Sequence, residues 1–63
     1  MYKNLENERK NKNLTINDMA KIISKTPATY YKKESGNVTV NVKEAILIAH
    51  FLRKEIEYLF TEF

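Results

Sequence analysis

The chain has 63 residues, a length that supports one small domain spanning residues 1–63, with a modest hydrophobic core. It contains no cysteine and a single histidine, which excludes disulfides and thiolate metal sites and leaves no nucleophile and base to assemble, so we expect no enzyme, catalytic residue, metal or cofactor. Eleven basic residues against eight acidic ones give a net charge of +3, and no apolar run is long enough to cross a bilayer, so a cytoplasmic protein is expected.

The N-terminal segment predicts a largely solvated helix that ends near residues 10–12. It is rich in charged and polar residues, and Tyr2, Leu5 and Arg9 recur at helical spacing. We expect this first helix to dock on the rest of the domain through those three side chains.

A second helix is predicted from Ile16 to about Ile23. Thr15 and Asp18, three residues apart, form a pattern typical of a capping box at a helix start. Apolar residues then recur on one face of the helix. They are Ile16, Met19, Ala20 and Ile23.

A third helix is predicted to begin almost at once. Thr26 is a good N-cap and Pro27 fits the first helical position, where a missing N–H costs nothing. The only glycine in the chain, Gly36, follows Ser35 and fits a left-handed C-terminal cap. Two helices this short need flanking helices to close a core.

The remaining chain predicts a loop and two further helices. Residues 38–42 alternate apolar and polar side chains, which leaves a short strand as an alternative to the loop. Asn41 and Glu44 repeat the cap-and-acid signal, although Glu44 is expected to lie on a solvated face with the other C-terminal acids. The fourth helix is expected to be buried on most of its circumference, through Ala45, Ile46, Ile48, Ala49 and Leu52. The fifth, at about residues 55–60, is expected to return Ile56, Leu59 and Phe60 to the core.

Charge is unevenly distributed along the chain. Residues 21–43 carry five lysines and one glutamate, whereas residues 44–63 carry two basic and four acidic groups. The positive field therefore lies over the second and third helices, as expected for a nucleic-acid binder with one working face. His50, the only histidine, is expected to be an ordinary helix residue.

Five motifs in this order resemble the phage repressor and Cro type of helix-turn-helix protein, the XRE family, over about residues 4–60. They are NLENERKNKNLT, INDMAKIIS, TPATYYKKESG, VKEAILIAHFL and EIEYLF. The resemblance implies an all-α bundle of five helices, the lambda repressor-like DNA-binding domain. It also implies an ion pair between Arg9 in the first helix and Glu34 at the end of the third.

The resemblance further implies base contacts from the start of the third helix and one turn beyond it, at Thr26, Pro27, Ala28, Tyr31 and Lys32. Apolar Pro27 and Ala28 suit thymine methyl groups, Lys32 can reach guanine, and Tyr31 can bond a base or a phosphate through its hydroxyl. Such a set is poor in bidentate hydrogen bonds, so phosphate contacts and DNA shape should carry much of the specificity.

Phosphate contacts are expected at Thr15, Ile16, Thr29, Lys33, Gly36, Asn37 and Lys43. The chain departs from the family pattern in the turn, where Ser24 and Lys25 replace a glycine and a buried aliphatic residue. It departs again at Lys33, which occupies a late apolar position of the third helix, and at Ile16, where a glutamine is common. Lys25 and Lys33 could bury their stems and keep their ammonium groups in water.

The predicted function is sequence-specific binding of double-stranded operator DNA by a dimeric transcriptional regulator, a repressor of phage or mobile-element type. The expected homodimer interface is the aromatic C-terminal region, at Tyr58, Phe60 and Phe63. The alternative is an interaction module of the same fold whose aromatic surface binds another protein, an opposing repressor or a toxin.

Overall fold

The computed structural model describes residues 1–62, and this part of the chain forms five α-helices and no strand. The helices are α1 (Lys3–Asn11), α2 (Ile16–Ile22), α3 (Pro27–Glu34), α4 (Val42–Leu52) and α5 (Ile56–Leu59). The predicted all-α helix-turn-helix bundle is therefore confirmed, and residues 38–41 form a loop. None of the helices within residues 1–62 has the length and apolar character needed to span a membrane.

Local side-chain caps set the starts of α2 and α4. The Thr15 hydroxyl accepts a hydrogen bond from the Asp18 N–H at 3.1 Å, and the Asp18 carboxylate accepts one from the Thr15 N–H at 2.9 Å. Asn41 and Glu44 make the same reciprocal pair at α4, with distances of 2.8 and 3.1 Å. These caps satisfy N–H groups that have no partner inside the helix, which is why both helices begin where the sequence predicts.

Four helices end in the same way, with one residue in the left-handed region. Asn13, Ser24 and Arg53 each have a φ of 58°, and Gly36 has a φ of 87°. After α2, the Lys25 N–H donates to the Ala20 carbonyl at 3.0 Å, which is the long hydrogen bond of a Schellman motif. Ser24 thus adopts the conformation for which a glycine is usual, so the turn between α2 and α3 keeps its geometry without one.

The core lies where α2, α3 and α4 meet α1 and α5. Its buried apolar side chains come from all five helices and from Ile23, just after α2. They are Leu5, Met19, Ala20, Ile23, Tyr30, Ile48, Ala49, Leu52 and Leu59. Leu14, Ile16 and Phe60 pack around this core, and Tyr2 meets Phe60 edge to face with ring centroids 5.3 Å apart. The inner side of α3 is thereby fixed, and its other side faces outward.

Helix α4 is less buried than the sequence predicts. Ile46, Leu47 and Phe51 expose 52%, 41% and 48% of their surface, and Ile56 at the start of α5 exposes 38%. The prediction that Ile46 and Ile56 enter the core is therefore wrong. The four other helices within residues 1–62 are too few to surround α4, so they cover only its inner side.

Candidate DNA-binding surface

Helix α3 presents two chemically different sides. Tyr30, Lys33 and Glu34 are buried against the bundle, at spacings of three and four residues. The side facing the other way contains the residues expected to contact bases, and all of them are exposed. They are Thr26, Pro27, Ala28, Tyr31 and Lys32. The periodicity of one short helix thus separates the anchoring residues from the residues available to DNA.

The start of α3 is shaped by its cap. The Thr26 hydroxyl accepts from the Thr29 N–H at 3.2 Å and donates to the Thr29 hydroxyl at 2.9 Å. Pro27 occupies the first helical position and leaves a small apolar surface beside exposed Ala28. The tip of the helix is therefore apolar, and the longer side chains of Tyr31 and Lys32 stand one turn further on.

Most of the expected phosphate contacts lie at the surface on elements that flank α3. Thr15 caps α2, Gly36 and Asn37 are exposed in the α3–α4 loop (residues 35–41), and Lys43 is exposed in the first turn of α4. Thr29 and Ile16 are half-buried, so Thr29 offers a hydroxyl that is already bonded to Thr26, and Ile16 offers its backbone at the positive end of α2.

Lys33 does not fit the predicted phosphate contact. Its side chain is 9% exposed, and its ammonium group donates to the Thr39 carbonyl at 2.9 Å and lies 3.0 Å from Glu44 Oε1. The lysine occupies an apolar position of α3 and finds its counter-charge on α4 instead of reaching water. The prediction for Lys33 is therefore wrong, because it depended on a solvated ammonium group.

The expectation that Glu44 lies on a solvated face is also wrong. Glu44 is only 4% exposed. Burial by itself raises the pKa of the Glu44 carboxyl, but the hydrogen bonds from Lys33 and from the Asn41 N–H outweigh that effect and hold the pKa below its usual range. Glu44 therefore stays ionised inside the protein as the partner of Lys33.

A second buried ion pair joins α1 to the end of α3. Arg9 Nε donates to Glu34 Oε1 at 3.0 Å and Arg9 Nη2 donates to Oε2 at 3.2 Å, so the pair is bidentate. Burial by itself lowers the pKa of Arg9, but its hydrogen bonds with Glu34 raise it above the usual value. The structure thus joins the two residues that the family resemblance pairs.

Tyr30 completes this cluster from within α3. Its hydroxyl donates to Glu34 Oε1 at 2.8 Å, and burial together with the neighbouring carboxylate raises the pKa of the phenol. Arg9 also donates to the Leu14 carbonyl at 2.9 Å, which ties the end of α1 to the same point. The network fixes the orientation of α3 relative to α1.

Positive charge is carried by exposed lysines of α2, the α2–α3 turn, α3 and the start of α4. Lys21, Lys25, Lys32 and Lys43 are exposed, and among the ion pairs within residues 1–62 none involves these four side chains. Their charges are therefore available to an anionic partner, as the uneven charge distribution of the sequence predicts.

The aromatic C-terminal region is only partly available for contact with another molecule. Tyr58 is exposed, with its hydroxyl donating to Glu8 at 3.0 Å, whereas Phe60 is half-buried against Tyr2. Phe63, the third residue of the predicted interface, lies outside the described residues. Phe60 mainly packs against the core, so less aromatic surface is exposed here than the sequence predicts.

Helices α4 and α5 expose a second apolar surface, which the sequence did not predict and which we call the α4–α5 patch. It consists of exposed Ile46, Leu47, Phe51 and Ile56. A shallow cleft at its edge is lined by Ile46, His50 and Ile56 together with charged residues of the α4–α5 turn. The signal was present in the sequence, because α4 is apolar around most of its circumference in a chain too short to enclose it.

One protein-family model matches nearly the whole chain. The model of the HTH_3 family, described as helix-turn-helix, matches residues 5–59, from α1 to the end of α5. Neither the curated proteins nor the solved structures contain a match to the chain. With the matched span covering all but a few terminal residues, this chain belongs to the HTH_3 family of XRE-type, DNA-binding helix-turn-helix regulators.

Proposed function

We propose that this protein is a transcriptional regulator that binds operator DNA as a homodimer, with α3 in the major groove, and represses by occupying a promoter. The observation that carries the proposal is the split of α3 into a buried side and an exposed side that holds every expected base contact. Family membership supports DNA binding, and the exposed lysines supply the charge it needs.

In the proposed complex, the first residues of α3 and the residues one turn further on contact different groups of the DNA. Pro27 and Ala28 are apolar and suit thymine methyl groups, whereas Lys32 and Tyr31 reach hydrogen-bonding edges or phosphates. The backbone at the start of α2 and the residues around the α3–α4 loop grip the flanking phosphates. The sequence-reading part of the site is small, so specificity also depends on DNA shape.

We propose that the homodimer forms through the α4–α5 patch. Phe60, which the sequence predicts in the interface, is half-buried and is not part of this patch. The patch exposes four large apolar side chains on α4 and at the start of α5, and two of them, Ile46 and Ile56, line the same cleft. Exposed apolar surface of this kind typically marks an interface. A twofold dimer would place two copies of α3 about 34 Å apart on one face of the duplex, and its operator would be nearly palindromic.

Selection of bound sequences from random duplex DNA, at low and moderate salt, tests the proposal directly. A near-palindrome with half-sites about one helical turn apart is the expected result. Recovery of nothing above background would contradict DNA binding. It would favour the alternative, in which the same fold binds an opposing repressor or a toxin through its aromatic C-terminal region.

Three lysine variants refine this test. Lys32→Ala should change both affinity and base preference, whereas Lys43→Ala should weaken binding to all duplexes alike and reduce the salt slope by about one. Lys10→Ala is the matched control, because Lys10 is exposed on α1 and pairs with Glu6 at 3.1 Å. Equal changes in base preference for Lys32→Ala and Lys43→Ala would contradict the proposed docking.

A further inference from the structure

The buried Lys33 ammonium connects three points of the chain around the α3–α4 loop. It belongs to the last turn of α3, donates to the Thr39 carbonyl in the loop at 2.9 Å, and pairs with Glu44 in the first turn of α4 at 3.0 Å. Glu44 Oε1 also accepts from the Asn41 N–H at 3.1 Å. One lysine and one carboxylate thus hold both the middle and the end of the loop.

Stability by itself does not explain the buried Lys33–Glu44 pair. Both side chains are almost fully desolvated, and Glu44 Oε2 is shielded from solvent without accepting a hydrogen bond from residues 1–62. Buried ion pairs are often replaced by apolar side chains at no cost in stability. What an apolar pair cannot supply is the directional bonding of the Thr39 carbonyl and the Asn41 N–H.

The loop held in this way carries groups proposed to contact DNA. Gly36 and Asn37 begin it, and Lys43 follows its end in the first turn of α4, all of them exposed. We propose that Lys33 and Glu44 are positioning residues for DNA binding, which hold the α3–α4 loop in the conformation that grips phosphates and touch no DNA themselves. This inference rests on the proposed function.

The direction in which Glu44→Gln changes DNA affinity distinguishes a positioning role from a purely electrostatic effect. Removing a negative charge should strengthen DNA binding if only the long-range field matters. The positioning role has the opposite consequence, because the neutral amide holds Lys33 less firmly and the loop loosens. We expect about tenfold weaker binding to a duplex of about 20 base pairs, and the salt slope should fall by about 0.9 for each phosphate that the loosened loop no longer neutralises.

A double variant removes the concern that Glu44→Gln unfolds the protein. Lys33→Met combined with Glu44→Met leaves the net charge unchanged and restores an uncharged buried contact. The matched control is Lys10→Met with Glu6→Met, which removes an ion pair of the same composition between exposed Lys10 and half-buried Glu6. Circular dichroism establishes the folded fraction of each variant at the assay temperature, and amide exchange reports the order of the loop.

The expected result is weaker DNA binding and faster amide exchange at residues 37–41 for the buried double variant, with the control unchanged. If the wild-type protein binds and the folded buried variant binds as tightly, the positioning role is refuted and the DNA-binding function stands. If the wild-type protein binds no duplex, both the proposed function and this inference fail. A loss of stability without a loss of affinity in the folded protein also refutes the inference.

Discussion

Tyr30→Phe isolates one hydrogen bond of the cluster that anchors α3. The phenol is fully buried and donates to Glu34 Oε1 at 2.8 Å, and the substitution removes one oxygen while leaving the ring in place. A hydrogen bond to a charged group contributes about 1.5–3 kcal/mol. A domain of 63 residues has a total stability of roughly 3–9 kcal/mol, so the expected loss is a large fraction of it.

Thermal unfolding followed by circular dichroism measures this loss, and urea unfolding gives the free energy independently. For a domain of this size the midpoint should fall by about 10 °C. Tyr58→Phe is the matched control, because it removes a hydroxyl that also donates to a glutamate, Glu8, but from an exposed ring. We expect its effect to stay below about 0.5 kcal/mol. Equal losses of unfolding free energy in the two variants would show that burial does not strengthen the Tyr30 hydrogen bond.

Three further predictions concern the helix ends, acid stability and assembly. Ser24→Gly should raise stability by about 0.5–1 kcal/mol in thermal unfolding, because a left-handed φ is strained for serine, and Asn13→Gly should gain less, because asparagine tolerates that region. The lowered pKa of Glu44 means that its contribution to stability is present above pH 4.5, its usual pKa, and is lost as the pH falls through the lower folded value. Unfolding midpoints measured from about pH 7 to about pH 3 should therefore decline less steeply in Glu44→Gln than in the wild type. Ile46→Asp should convert the proposed dimer to monomer in sedimentation equilibrium, and an unchanged dimer would contradict the use of the α4–α5 patch.

The start of each of the three central helices was predictable because the signals are local. The side chains of Thr15, Thr26 and Asn41 each accept a hydrogen bond from an N–H group three residues further on, and Pro27 lacks an N–H that would need a partner. The neighbouring sequence therefore suffices to recognise these helix starts. The exposed side of α3 was predictable for a similar reason, because it depends on the spacing of residues within one helix. Once the helix is set, its period separates the two sides.

The burial of the Lys33 ammonium group was not predictable in the same way. A lysine in an apolar position can extend to solvent or find a buried counter-charge, and the sequence leaves both possibilities open. Glu44 is eleven residues away, on another helix, and its capping role alone fits an exposed position equally well. Only the approach of α4 to the end of α3 brings the two charges to 3.0 Å.

The sequence by itself determined the helical elements, the helix-turn-helix family and the side of α3 that faces outward, because caps, periodicity and motif order act over a few residues. The tertiary structure alone decided which charges are buried together and which apolar residues of α4 remain exposed. Those outcomes depend on which elements pack against one another, and in a chain this short the number of neighbours is too small to cover every apolar side chain. The Lys33–Glu44 pair and the α4–α5 patch are therefore properties of the packed domain.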